Sequence, residues 1–458
     1  MRSDQSNILK DSEFVKNTGK LFGSSVIAQA LPFVVLPFLT RMFSPEDFGF
    51  WAYFLSLSSL FSILMTGNYE FAIVLPKEDK EALSVLTGSV LICLITFVSA
   101  SALVYLFYEN HISSSGIIVS ENILYLAILM SMIMAVFRLL NFWNNRENKF
   151  HVTAAGNITR SFTVYLCQLL NGLYYLKTST GLILSSVSGY AAGSLIQSAS
   201  LVKKIIRNRK DINISSIRRS LSRYRDFPKY FMPSEFLNSL SVNVPVLFLT
   251  NLFDSAAAGL YAIPHRFINV PLTLLGSSVS QAYFKKSSDM VNNDQCPGRM
   301  TSDIYRKLFM LGIVPLSIIA GYGDYIFGFL LGERWAVSGL YASILSPWML
   351  MVFVASPVSI IFATLEKQKI SLVLNSVLLF LRVSSFLIGG IILKSVFAAV
   401  YLYGSTGFLY WTFYSFFVVR TAGGNEDKDK IVQFVLYRLL FIMLPIILSR
   451  TVLCMILK

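Results

Sequence analysis

Thirteen times along this chain an apolar block of about 20 to 27 residues interrupts the polar sequence. The blocks lie near 17–41, 48–67, 82–107, 122–142, 152–176, 180–202, 230–252, 257–281, 303–329, 338–363, 369–393, 395–419 and 431–455. At 1.5 Å per residue, a helix over each block crosses roughly 30 Å of hydrocarbon. Lipid offers no partner to a free N–H or C=O, so such segments fold as helices that close their own backbone hydrogen bonds. Composition agrees. Residues are 54% hydrophobic and 14% charged, against roughly 25% charged in soluble proteins. The expected fold class is an all-α polytopic membrane protein.

The net charge of +14 would suggest nucleic acid in a soluble protein, but position carries more information here. With the N-terminus placed in the cytoplasm, the inside segments hold 28 of the 39 Lys and Arg. The outside segments hold Arg41, Lys177, Arg334 and Lys394, with Arg450 and Lys458 near the C-terminus. This bias orients the protein with its N-terminus inside and makes nucleic acid an unneeded partner. Residues 1–16 are polar and the first block has no A-x-A site, so no cleavable signal peptide is expected.

The densest basic stretch, KKIIRNRKDINISSIRRSLSRYRDFPKY, divides the chain between the sixth and seventh blocks. It reads as a cytoplasmic linker facing anionic lipid headgroups. The chain then parses into an N-terminal six-helix lobe (1–202), the linker (203–229), a C-terminal six-helix lobe (230–420), and a polar loop with an extra membrane helix (421–458).

FLTRMFSPEDFGFWA, Phe38 to Ala52, recurs 210 residues later as FLTNLFDSAAAGLYA, Phe248 to Ala262. Six positions are identical, and each copy joins the first two helices of its lobe. The lobes are therefore parallel repeats about an axis along the membrane normal. Gly49 and Gly259 are expected to supply a positive φ for a tight outer turn. Two pseudo-symmetric six-helix bundles would surround a central cavity, with a probable thirteenth helix following. Prolines within many blocks (Pro32, Pro37, Pro233, Pro245, Pro264, Pro271, Pro315, Pro347, Pro357) are expected to kink their helices, as static bends or as hinges.

FLTRMFSPEDFGFWA after an N-terminal helix, followed by TGNYEFAIV at the end of helix 2, resembles the bacterial polysaccharide-synthesis and O-antigen flippases. These belong to the multidrug/oligosaccharidyl-lipid/polysaccharide exporter superfamily. The resemblance implies two six-helix lobes in a V, in the bacterial inner membrane. It implies transfer of an undecaprenyl-pyrophosphate-linked oligosaccharide from the cytoplasmic to the periplasmic leaflet. Partners would be the lipid-linked oligosaccharide, membrane lipids, and a glycan polymerase with its chain-length regulator. The thirteenth block goes beyond the family's twelve-helix plan.

The residues point the same way. A charge within lipid costs about 2.5–3.5 kcal/mol on insertion scales, so it faces a partner or a wet cavity. Arg266, Asn269, Thr273, Ser277 and Ser280 share one face of block 8. Asn157 and Arg160 share a polar face of block 5, Asn238 lies on that of block 7, and Asn375 and Arg382 on that of block 11. Arg160, Arg266 and Arg382 read as a cationic cavity, because a guanidinium fork suits a pyrophosphate. The Ser, Thr and Asn stripes read equally as interhelical glue. Arg138, near an inner helix end, reads as snorkelling. His265 reads as a satisfied polar contact. Glu235 is the one carboxylate well placed inside a block, for ion pairing or for carrying a coupling ion. Glu70, in NYEF, either meets a cavity arginine or is solvated. Arg41 either pairs with Glu46 or Asp47 or guides an anionic headgroup at the outer exit.

The four cysteines show no CxxC spacing, so neither a disulfide framework nor a zinc site is expected. No GxxxxGK[ST], H-E-x-x-H or G-x-S-x-G occurs, and no cofactor is implied. The chain reads as a transporter and not an enzyme. A cation or drug exporter of the same superfamily would call for an acidic cavity. A glycan polymerase or ligase would call for an outer catalytic constellation.

Overall fold

A computed structural model describes residues 31–107, 121–208, 213–365 and 367–423, with a few positions between 435 and 443. The start of the first block, the outer loop of 109–120, four linker residues and nearly all of the block at 431–455 lie outside the described residues. No strand occurs among the described residues. The chain forms two compact units, 1–243 and 244–458.

The first unit contains α1 (Leu31–Met42), α2 (Pro45–Thr66), α3 (Asp79–Phe107) and α4 (Glu121–Arg146). It continues with α5 (Phe150–Leu170), α6 (Ser179–Asn208) and α7 (Ile214–Arg223). The boundary between units falls inside α8 (Met232–Leu252). The second unit contains α9 (Ser255–Asn292), α10 (Gly298–Leu331) and α11 (Ala336–Val358). After it come the short α12 (Ile361–Thr364), α13 (Gln368–Leu387) and α14 (Val396–Thr421).

Among the described residues, six helical segments, on α2, α3, α4, α10, α11–α12 and α13, are long and apolar enough to cross a membrane. α5, α6, α8, α9 and α14 have the length, but Ser, Thr, Asn and Tyr dilute their apolar character. α3 turns Leu94, Ile95, Val98 and Leu103 outward, an apolar face of the kind soluble monomers cover. The chain is a multi-pass membrane protein.

The duplicated sequence is a duplicated corner. At each copy the leading helix closes on the same pair of positions: Phe43 N–H donates to Leu39 O at 2.9 Å and Phe253 N–H to Leu249 O at 3.1 Å. An aligned residue then caps the next helix. Ser44 Oγ accepts from Asp47 N–H, and Asp47 returns the bond by accepting from Ser44 N–H at 3.0 Å. Asp254 Oδ1 accepts from Ala257 N–H at 2.7 Å. Such caps contribute about 1 kcal/mol each. The expected role of Gly49 and Gly259 is corrected here. Both lie inside helices, buried, because the N-caps already make the turn.

A second repeated device has no counterpart in the quoted sequence. α5 and α13 each end in one π turn, Asn171–Tyr175 and Ile388–Ile392. Each π turn presents a glycine to the corner of its own unit. A Cβ on Gly172 would meet Met42 Sδ at 2.8 Å, and one on Gly390 would meet Leu252 Cδ1 at 2.6 Å. Met42 and Leu252 are aligned residues of the two copies.

The basic linker is partly structured and docked. α7 lays Ile217 and Leu221 over Gly88 of α3. Arg223 meets Glu81 at 2.9 Å, and Tyr69 OH donates to Leu221 O at 3.1 Å. This attachment explains why the linker belongs to the first unit and the division falls beyond it. Beside it, Lys204 donates to Asp79 and Glu147, each at 2.7 Å. Partial burial works against the Lys204 ammonium, but the two carboxylates outweigh it and hold its pKa above the ordinary lysine value.

The two π-turn glycines supply the first test. Gly172→Val and Gly390→Val should each overpack a corner and cost about 1–3 kcal/mol. Thermal unfolding of the purified protein in detergent reads this. Unchanged melting in both variants would remove the π turns from the bracing of the corners.

Candidate substrate and ion sites

In the first unit the site residue with most chemistry is Arg160, at mid-length of α5. Its guanidinium carbon stands 5.4 Å from the Phe137 ring centroid and 4.8 Å from that of Tyr190. Nη1 donates to Tyr190 OH at 2.8 Å. Cation–π contacts of this kind contribute about 0.5–2 kcal/mol and hold the side chain in a fixed plane. The residue is half-buried, and its Nε is shut from solvent without a hydrogen bond to the protein. The aromatic pair thus fixes where the guanidinium points. α5 and α6 approach closely, at Gly156 against Gln197 and at Gly193 against the Arg160 stem. Asn157, one turn from Arg160, is also half-buried.

In the second unit the polar stripe of α9 lines a cavity. Asn269, Thr273, Ser277 and Ser280 form one wall, and Val352, Phe353 and Ser356 of α11 the other, around about 270 Å³. Thr273 and Ser277 each donate to a carbonyl of their own helix at 3.0 Å. Their hydroxyl oxygens are left as acceptors, which suits a donor such as a sugar hydroxyl. Arg266 lies half-buried one turn before Asn269 and does not line the cavity. Arg382 of α13 is within electrostatic reach of Tyr261 and His265 of α9. His265 stacks between Tyr261 and Trp348, with centroids 5.5 and 6.2 Å away.

The other expected residues are dispersed. Asn238 and Asn375 lie on exposed faces of α8 and α13, and Glu235 is half-buried in the first turn of α8. Arg41 is exposed and donates to Pro37 O at 3.3 Å. Asp47 is taken up by the cap and by Ser179 N–H at 2.7 Å.

Glu70 is the most enclosed carboxylate of the set, at 1% exposure, and it is not solvated. Arg138 Nη2 approaches Glu70 Oε1 at 3.3 Å and donates to Ser62 O at 2.6 Å. Arg138 therefore turns inward to a partner, where snorkelling was expected. Asn68, two residues before Glu70, has 0% exposure, a left-handed φ of 59°, and no protein partner for either side-chain amide atom. The TGNYE stretch thus delivers a carboxylate and a carboxamide into the interior of the first unit. Sequence reasoning passed over Asn68, and also Asp324. Asp324 follows a break in α10 at Tyr322 and has one carboxylate oxygen shut from solvent. Glu235 is therefore not alone as a carboxylate within a block. The signal was present in GYGDY, an acid beside glycine inside an apolar run.

The geometry can be set beside known proteins. Residues 38–339 match the family described as polysaccharide biosynthesis protein. The chain belongs to this family. No curated protein matches the chain by sequence. Among solved structures, the chain is similar to the lipid II flippase MurJ in an inward closed conformation. The TM-score is 0.64 at 16% identity, covering 95% of this chain and 98% of that one. It is similar to an inward-facing multidrug resistance MATE family transporter of the MOP superfamily, with a TM-score of 0.66 at 14% identity over 87% and 96% of the two chains. It is also similar to the Vibrio cholerae MATE transporter VcmN, with a TM-score of 0.54 at 14% identity over 90% and 96%. At these identities the likeness establishes the fold, which the chain shares with these proteins.

The Glu70–Arg138 pair of this family member is open to a mutant cycle. Removing either charge leaves the other unpaired, which costs about 3–5 kcal/mol for a fully buried pair. Arg138 is 31% exposed, so we expect about 1–3 kcal/mol from Arg138→Met or Glu70→Met alone. The double variant should recover most of the loss. Additive losses in thermal unfolding would show that the two side chains do not act as a pair.

Proposed function

We propose that this protein is a flippase for an undecaprenyl-pyrophosphate-linked oligosaccharide, an O-antigen or similar surface-polysaccharide repeat unit. It carries the unit from the cytoplasmic to the periplasmic leaflet of the bacterial inner membrane by alternating access. Its N-terminus is cytoplasmic, an ion gradient drives it, and it makes or breaks no covalent bond. The released unit would pass to a glycan polymerase working with a chain-length regulator.

The observation that carries this reading is Arg160. A fixed, half-exposed guanidinium within a spanning helix offers parallel donors to phosphate oxygens. Arg266 and Arg382 add positive charge in the second unit, and the α9 cavity adds acceptors for sugar hydroxyls. A protein of the same fold is a lipid II flippase, so the fold accommodates the flipping of a lipid. Glu70, shut inside the first unit, is the carboxylate best placed to take up a coupling proton.

The test compares Arg160→Gln with Arg160→Lys at equal protein level. A charge-assisted hydrogen bond contributes about 1.5–3 kcal/mol, so Gln should lower surface glycan about 10- to 100-fold and Lys should restore part of it. Lipid-linked single units should then accumulate on the cytoplasmic face. Units that reach the periplasm but stay unpolymerised would instead mark the protein as a polymerase.

A further inference from the structure

The α9–α10 turn carries a second cavity, of about 530 Å³, distinct from the α9–α11 cavity described above. Its floor is apolar, from Val279, Met290, Met300 and Ile304. Tyr283 and Thr301 join their hydroxyls at 2.6 Å and tie the two helices together beside it. Its rim is charged: exposed Lys286 on α9, and exposed Lys307 and Asp303 on α10. An apolar floor beneath a cationic rim is the shape of an amphiphile site, with hydrocarbon below and an anionic headgroup above.

The charge balance narrows the ligand. Two lysines against one aspartate leave one net positive charge, which complements the single negative charge of a phosphodiester. A pyrophosphate, with more charge on two adjacent groups, is better matched by guanidinium forks. We propose that this cavity binds an anionic glycerophospholipid of the surrounding leaflet, of the phosphatidylglycerol type. In the orientation proposed above, that leaflet is the cytoplasmic one. The site brings the α9–α10 end of the second unit under the control of lipid composition. Its exposed neighbours Lys285 and Arg299 draw anionic headgroups toward the turn without lining the cavity.

The experiment is native mass spectrometry of the full-length protein in detergent, titrated with phosphatidylglycerol or phosphatidylethanolamine. The protein should retain phosphatidylglycerol in preference. The K286Q/K307Q variant should lose that preference by about fivefold for each lysine removed. The K285Q/R299Q variant, with the same loss of charge on the same turn, should keep it. Equal loss in both variants would overturn the proposal, because diffuse basic charge would then explain the binding. Undecaprenyl phosphate displacing phosphatidylglycerol at equal concentration would also overturn it and assign the cavity to the transported lipid. The readout involves no transport, so a failure of the flippase reading leaves this result standing, and the reverse holds too.

Discussion

A polar group in hydrocarbon has no water to turn to, and every helix here is built around that fact. The side-chain hydroxyls show how it is met. Ser89, Thr96, Ser131, Ser346, Ser385 and Thr412 each donate to the carbonyl four residues back, at 2.6 to 2.8 Å. A hydroxyl has one proton, so a back-bonded hydroxyl is left as an acceptor. This bears on the choice between glue and cavity for the Ser/Thr stripes. They supply acceptors almost everywhere. Donors toward a ligand must come from elsewhere, and a phosphate needs donors. Arginine is the side chain that brings several donors in one fixed plane, and the aromatic neighbours of Arg160 hold that plane still.

Duplication places the same brace in both units. Each has an N-capped corner after its leading helix, and each closes a π turn against that corner through a glycine. The π turns keep their own backbone bonds, from Leu176 N–H to Asn171 O at 2.9 Å and from Leu393 N–H to Ile388 O at 3.0 Å. The widened turn removes no hydrogen bond, and it aims a residue without a side chain at a tight contact.

Where an interaction is local, the sequence displays it. The apolar blocks, the basic linker, the repeated corner and the polar face of α9 all follow from spacing along the chain. Asn269, Thr273, Ser277 and Ser280 of the α9 stripe line one cavity, and Arg266 of the same stripe does not. What escaped reading depends on contacts between distant segments. Glu70 and Arg138 are 68 positions apart, and nothing near either one names the other. Phe137 and Tyr190 hold Arg160 from two other helices. The turn glycines were misassigned for another reason. Gly49 stands four residues beyond Pro45, a common helix start, and the Ser-Pro-Glu-Asp run ahead of it is an N-cap signature. A glycine inside a helix is then a packing residue, and no positive φ is needed.

Glu70 and Glu235 are two carboxylates of the first unit, and their surroundings separate them. Glu235 sits half-buried in the first turn of α8. Glu70 is enclosed, and neither of its oxygens makes a hydrogen bond to the protein, although Arg138 stands at 3.3 Å. A buried polar group without a hydrogen bond costs about 1–3 kcal/mol, and the neighbouring Asn68 amide adds a second such group. The bond from Arg138 to Ser62 O holds the guanidinium in place beside the carboxylate, so α4 and the TGNYE stretch are tied through one cation. Glu235, half-buried at a helix start, is set in no such tie among the described residues.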